Sequence, residues 1–322
     1  MIRHQIAPQS KIQNLKSKIG VIQNLKSKIV LALMLVAAAT SVDLVVYAHP
    51  EHESSTLDAA SHFASLDGSR VHYKSYGKGR EALVFVHGWC CNLDFWSGQT
   101  PAFESKTRVI ALDLPGHGMS DKPQIAYTMD LFARAVEAVL RDAGVDRAVL
   151  VGHSMGTPVI RQFYRKYPAR TLGLVIVDGP LRPFGDTATV DKFIAPLRGP
   201  NYKEVAATFI DGMMGPQVSA TLREQIKTAM LSAPQHVVVG AMESMNNPSI
   251  WKEDKIEVPV LAIMAKSAFL PADSEQSYRS LAPNLDYQMW SGVTHFLMME
   301  KPKEFNEALA TFLQKNKLLK RI

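Results

Sequence analysis

The sequence predicts an α/β fold, a mostly parallel central sheet with helices on both faces, and three observations predict it. Short apolar runs recur between residues 82 and 290, most of them ending in a small or polar residue. Segments of helical periodicity lie between them, and alternation of this length is the mark of a parallel sheet. The runs are apolar at consecutive rather than alternate positions, which suits strands covered on both sides. With 322 residues, 47% hydrophobic and 20% charged, the chain has ample material for such a core.

Residues 1–48 read apart from the rest. Arg3, Lys11, Lys16, Lys18, Lys26 and Lys28 meet no acid in the first thirty positions, so the formal charge of +6 reflects this leader. It therefore says little about nucleic acid, and no basic stripe interleaved with aromatics supports such a partner. The octapeptide IQNLKSKI occurs at 12–19 and again at 22–29, a duplication too short to stack a core. An apolar run follows at 29–39, then Val46-Tyr47-Ala48 with small residues at −3 and −1 of a cleavage point. That is the pattern of a secretory signal peptide, and export to the periplasm or beyond is expected. A retained membrane anchor is the alternative, with membrane contact only through this segment. Asp43 and the shortness of the run oppose it, since a span needs about twenty residues. A mis-assigned start is the third reading.

After a polar stretch at 49–61, segments 62–66 and 70–76 flank Asp67-Gly68, a two-residue hairpin signal. Two antiparallel strands therefore open the sheet and make it mixed. Parallel strands are expected at 82–86 (ending in His87-Gly88), 108–112 (Asp113), 148–151 (Gly152), 172–177 (Asp178), 258–264 and 285–290. Helical spacing appears at 128–143, where Leu131, Ala135, Val139 and Leu140 share a face, at 158–167, and at 302–315. Residues 181–254 break the alternation. They show no convincing strand and carry Met213, Met214, Met230, Met242 and Met245 among Pro and Gly punctuation. This predicts a helical cap inserted after the strand ending at Asp178, placed over a site at the strand C-termini. Most of these adaptable methionines are expected to pack cap to core. The organisation is then leader 1–48, core 49–180 and 255–322, cap 181–254.

The strongest chemical signal is Gly152-His153-Ser154-Met155-Gly156, a G-x-S-x-G directly after an apolar strand and before a helix. A serine there sits on a strained turn, so residues two positions either side must be small. The helix N-terminus behind it offers unpaired N–H groups, and that of Met155 points toward a developing oxyanion. A serine hydroxyl needs a general base. Among ten histidines, His295 lies after the last strand and before the terminal helix, on the sheet edge that carries Ser154. His117 and His153 are weaker candidates, and His153 is read as pointing away from the site. The loop after the first parallel strand, His87-Gly88-Trp89-Cys90, should bring a second oxyanion donor, the N–H of Trp89. Cys90 and Cys91, the chain's two cysteines, are adjacent and make no disulfide framework. They are expected to pack beneath that loop. No metal-ligand spacing or dinucleotide fingerprint occurs, so no cofactor is expected.

HGW after the first parallel strand, DLPGHGMS after the second, GHSMG at the turn and GVTHF near the end together resemble the α/β-hydrolase superfamily. The likeness is to esterase, haloperoxidase-like and carbon–carbon hydrolase members with a helical cap, and it runs over about residues 62–318. It implies an α/β-hydrolase fold and the chain order serine, acid, histidine. It also implies that Asp113 and His117 are largely structural. Relatives of this kind usually carry the acid as G-x-x-D after the strand at 258–264, but that stretch reads Ala265-Lys266-Ser267-Ala268. Some members supply it one strand earlier, where this chain has Asp178. Asp273, several residues beyond Ala268, is the other candidate, or a residue that begins the next helix. The expected activity is hydrolysis of a small-molecule carboxylic ester or similar acyl substrate, an apolar one, by Ser154, His295 and an acid, Asp178 before Asp273. A carbon–carbon hydrolase, a lactonase or a perhydrolase with the same triad is the alternative. A ligand-binding receptor on a hydrolase scaffold is the alternative of another class.

Overall fold

Asp67 and Gly68 both take positive φ, 49° and 81°, which a type I′ turn requires. They join β1 (Ser61–Leu66) to β2 (Ser69–Tyr76) as an antiparallel hairpin. The computed structural model describes residues 60–183, 185–267 and 270–319. The leader, its duplication and Ala268 lie outside the described residues.

Six further strands follow: β3 (Glu81–Val86), β4 (Arg108–Leu112), β5 (Arg147–His153), β6 (Thr171–Val177), β7 (Val260–Ala265) and β8 (Leu285–Trp290). The sheet order is β1-β2-β4-β3-β5-β6-β7-β8. β2 meets β4 antiparallel, and every pairing from β4 to β8 is parallel. β3 and β5 lie mid-sheet, and all but their first residues are buried, as apolar runs covered on both faces should be. β8 is an edge and half exposed.

Helices α1 (Thr100–Phe103), α2 (Met129–Asp142) and α3 (Gly156–Lys166) belong to the first half of the core. Thr128 caps α2 by accepting the Leu131 N–H, and nine of its residues are buried. β7 begins two residues later than the apolar run, because Pro259 has no N–H to give; its carbonyl still accepts from Leu174. β5 runs on through Gly152 and His153, so the strand delivers the chain straight into the turn at Ser154.

Between β6 and β7 stand α4 (Thr187–Ile194), α5 (Tyr202–Gly212), α6 (Ala220–Met230) and α7 (Gln235–Met245), with no strand among the described residues. Met214, Met230, Met242 and Met245 are buried and Met213 is half-buried, packed against them. The cap is fastened at both joints by α3. Arg161, only 1% exposed, donates to the carbonyls of Leu181 (2.9 Å), Lys252 and Asp254 (3.3 Å). Arg165 adds the Ile250 carbonyl (2.8 Å) and the Asp254 carboxylate (2.7 Å). α7 also rests on the core, where Ser244 Oγ accepts from Met129 N at 2.9 Å. The chain closes with α8 (Ser274–Leu281), α9 (Leu297–Glu300) and α10 (Pro302–Lys315).

Candidate active site

Ser154 has φ +52°, a conformation that costs a non-glycine residue roughly 1–2 kcal/mol. The surroundings impose it. Ser154 N donates to Val177 O and Thr157 N donates to Ser154 O, both at 2.9 Å. A Cβ on Gly152 would fall 2.5 Å from the Gly156 oxygen, and one on Gly156 would fall 2.5 Å from the Val86 oxygen. Each glycine of the motif therefore marks a place where two backbones touch.

One strand over, Asp178 leaves β6 with φ +43°. Its Oδ2 lies 2.7 Å from His295 Nδ1, and its Oδ1 accepts from Ala265 N at 2.9 Å. The end of β7, where the resemblance places an acid, thus contributes a main-chain donor to an acid on β6. A Cβ at Gly179 would collide with Thr157 Oγ1 at 2.0 Å and Ser154 O at 2.6 Å. The Gly179 carbonyl accepts from the buried Tyr278 hydroxyl, so the turn behind Asp178 is held from both sides. Asp273 is engaged elsewhere, since Arg182 Nη1 donates to it at 2.9 Å at the exposed start of α8.

A carboxylate can only accept, so His295 Nδ1 carries a proton, and in the neutral ring the lone pair is on Nε2. The main chain around this imidazole is fixed twice. Thr294 N and Oγ1 both donate to Glu300 Oε1, the former at 2.8 Å. His153 Nε2 donates to the His295 carbonyl at 2.8 Å. The expectation that His153 points away is corrected here: its ring packs on His295 with centroids 4.7 Å apart. Its one N–H is spent on that carbonyl, and burial keeps the ring well below the usual imidazole range.

The loop after β3 passes directly against Ser154, for a Cβ on Gly88 would lie 3.0 Å from Ser154 Cβ. Trp89 follows Gly88, and Met155 immediately precedes α3. Among the described residues neither main-chain N–H meets an acceptor. The Trp89 indole donates to Val238 O on α7 at 2.9 Å and packs edge-on against Phe209 of α5. Cys90 (φ +57°) and Cys91 are buried and free, and burial pushes both thiols up, so neither offers a thiolate.

His87 is a site residue that sequence reasoning did not single out. Its Nδ1 donates to Gly88 O (2.8 Å) and its Nε2 accepts from Leu114 N (3.0 Å). It ties the loop beside Ser154 to the turn after β4. Asp113 organises that turn, accepting from Leu93 N (2.8 Å), Met119 N (2.9 Å) and His72 Nδ1 (2.7 Å). His117 donates to Pro115 O, and burial pulls it down to about 3. Asp113 and His117 thus spend these groups on the fold itself. Chemically, the arrangement is a strained serine, an imidazole oriented by a carboxylate and, among the described residues, two N–H groups without acceptors.

The family profile of the alpha/beta hydrolase fold matches residues 81–225. A non-heme chloroperoxidase of Streptomyces lividans is 30% identical over 275 residues, covering 77% of this chain and 97% of that protein. A 2-hydroxy-6-oxononadienedioate/2-hydroxy-6-oxononatrienedioate hydrolase of Burkholderia vietnamiensis is 28% identical over 287 residues, covering 81% of this chain and 98% of that protein. Among solved structures, Est816, named as an N-acyl homoserine lactone degrading enzyme, matches with a TM-score of 0.67 and 26% identity. That match covers 78% of this chain and all of Est816. A bromoperoxidase of Bacillus anthracis shares the fold with a TM-score of 0.72 at 24% identity, over 79% of this chain and 100% of its own.

Proposed function

This chain belongs to the α/β-hydrolase superfamily, and from that premise we propose that it hydrolyses a carboxylic ester or similar acyl substrate through an acyl-enzyme on Ser154. The observation that carries the reading is the contact between Asp178 and His295, which occupies the Nδ1–H and, in the neutral imidazole, puts the lone pair on Nε2, where it can act as a base.

In this reading His295 Nε2 takes the Ser154 proton as Oγ attacks the substrate carbonyl carbon. Negative charge gathers on the carbonyl oxygen, where the N–H groups of Trp89 and Met155 meet it; each such donor is worth roughly 3 kcal/mol in the transition state. His295, now an imidazolium facing Asp178, returns the proton to the departing alcohol. Water then gives a proton to His295 and attacks the acyl-enzyme, which releases the acid and restores Ser154. The Trp89 and Phe209 rings beside the loop favour an apolar acyl group. If the leader directs export, this chemistry takes place outside the cytoplasm. Ser154→Ala should abolish turnover of p-nitrophenyl acetate with the fold intact, and substantial residual turnover would sink the mechanism.

A second reading keeps the same residues and changes the bond, and the relatives favour it: they include a lactone-degrading enzyme and a hydrolase of a dienedioate. Assaying esters, lactones, ring-cleavage products and perhydrolysis side by side ranks the options. A receptor on this scaffold predicts no labelling of Ser154 by a fluorophosphonate, whereas the hydrolase readings predict rapid labelling.

A further inference from the structure

We propose that His153, the residue before the nucleophile, is a positioning residue for the general base: its Nε2–H grips the main-chain carbonyl of His295 and sets where that imidazole stands relative to Ser154. The proposal rests on the acyl-enzyme reading above. A carbonyl oxygen only accepts, so the 2.8 Å contact puts the His153 proton on Nε2. Nδ1 then carries the lone pair, buried and without a hydrogen-bond partner among the described residues.

Placement sets this histidine apart from an ordinary core residue. It is 1% exposed, and its ring centroid lies 4.7 Å from that of His295, 5.6 Å from Phe296 and 6.4 Å from Trp96. A Cβ on Gly88 would fall 3.0 Å from His153 Nδ1, so the oxyanion loop presses on the same ring. One side chain therefore touches the base, is bonded in sequence to the nucleophile, and underlies the loop that carries Trp89. Its hydrogen bond joins positions 142 residues apart, which makes it a short link between two catalytic groups that the chain connects only through the cap.

The ring must also stay neutral. His295 gains a positive charge as Ser154 attacks, and a second cation 4.7 Å away would oppose it. Burial, and then the His295 charge, hold His153 in the neutral form that still donates one N–H. A neutral donor is needed here, and a merely bulky apolar residue fills the space without gripping the carbonyl.

The test uses the full-length protein with p-nitrophenyl acetate. His153→Phe keeps a flat ring and loses the N–H; His153→Gln keeps a neutral N–H at nearly the same reach. We expect His153→Phe to lower kcat by roughly 10- to 100-fold, in line with about 1 Å of misplacement, with KM within about threefold and slower fluorophosphonate labelling of Ser154. His153→Gln should recover most of that loss, a rescue that packing alone does not produce. Where the Phe variant does not fold, His153→Asn, too short to reach the carbonyl, takes its place in the comparison. Equal kcat for the Gln variant and its non-donating counterpart, or wild-type kcat in a folded Phe variant, overturns the proposal. Retained turnover in Ser154→Ala would instead overturn the acyl-enzyme reading, so the two failures are distinct.

Discussion

An imidazole takes a proton from a serine only at a nitrogen that is free of one. In the proposed mechanism Asp178 arranges this for His295 by accepting from Nδ1 at 2.7 Å, while Asp273 is drawn to Arg182 at the surface. The two carboxylates should therefore respond very differently to removal of charge. Asp178→Asn leaves the shape in place but lets the imidazole adopt the wrong tautomer, and kcat should fall by roughly three to four orders of magnitude. Asp273→Asn should leave kcat within about twofold, because its partner is an arginine away from the base. Steady-state kinetics of the pair, with melting curves to check the fold, decides; a large loss in the Asp273 variant alone would reassign the acid. Gly179 is part of the same device, since any Cβ there meets Thr157 and Ser154. Gly179→Ala should displace the Asp178 turn and cost activity even where the protein remains folded.

At the level of elements, the cap depends on one helix. Arg161 and Arg165 of α3 hold both the point where the chain leaves the core, Leu181, and the points where it returns, Lys252 and Asp254. The planar guanidinium of Arg161 spreads donors from two nitrogens over carbonyls from two chain segments, a wider span than the compact ammonium of a lysine offers. Arg161→Ala leaves the buried Leu181 carbonyl and the part-buried carbonyls of Lys252 and Asp254 without this partner and should destabilise the protein by about 1–3 kcal/mol. Arg161→Lys should restore only part of this. Denaturant melts of both variants check the ranking, and equal stability of Lys and wild type would contradict it. Because α3 also begins at the turn that carries Ser154, a loosened cap joint should be felt there as well as in the melt.

The whole molecule carries a pH signature. His87, His117 and His153 are buried, and burial pulls each below the usual imidazole value of 6.5. Unfolded, each would take up a proton near 6.5. Below that pH the unfolded chain binds more protons than the folded one, so the stability present above it is lost as pH falls. The loss is up to about 1.4 kcal/mol per pH unit for each histidine. On the alkaline side burial pushes Cys90 and Cys91 above the usual thiol value of 9.0, so the unfolded thiols ionise first and stability declines again. Thermal melts from pH 4 to 10 should show a plateau between about 6.5 and 9. A melting temperature flat down to pH 4.5 would show that these histidines are not held neutral. The same burial predicts that both thiols resist iodoacetamide until the protein unfolds.

Sequence by itself determined the alternation of strands and helices, the turn at Ser154 and the cap, because these rest on local patterning. The hairpin turn at Asp67-Gly68, the strand at 108–112 and the helix at 302–315 need only their own residues to be recognised. The G-x-S-x-G turn was legible for the same reason: Gly152 and Gly156 report close backbone contacts whatever the rest of the chain does. The short turns at 93–103 left no readable period, being barely one turn each. Only the tertiary structure decided which carboxylate meets His295, that His153 turns toward it, and that His87 anchors the loop after β3. Each of these is a contact between residues far apart in the chain, fixed by strand order and by a few side-chain directions. Periodicity and spacing carry no information about such contacts, because the same local pattern is compatible with either acid and with either face for the ring of His153.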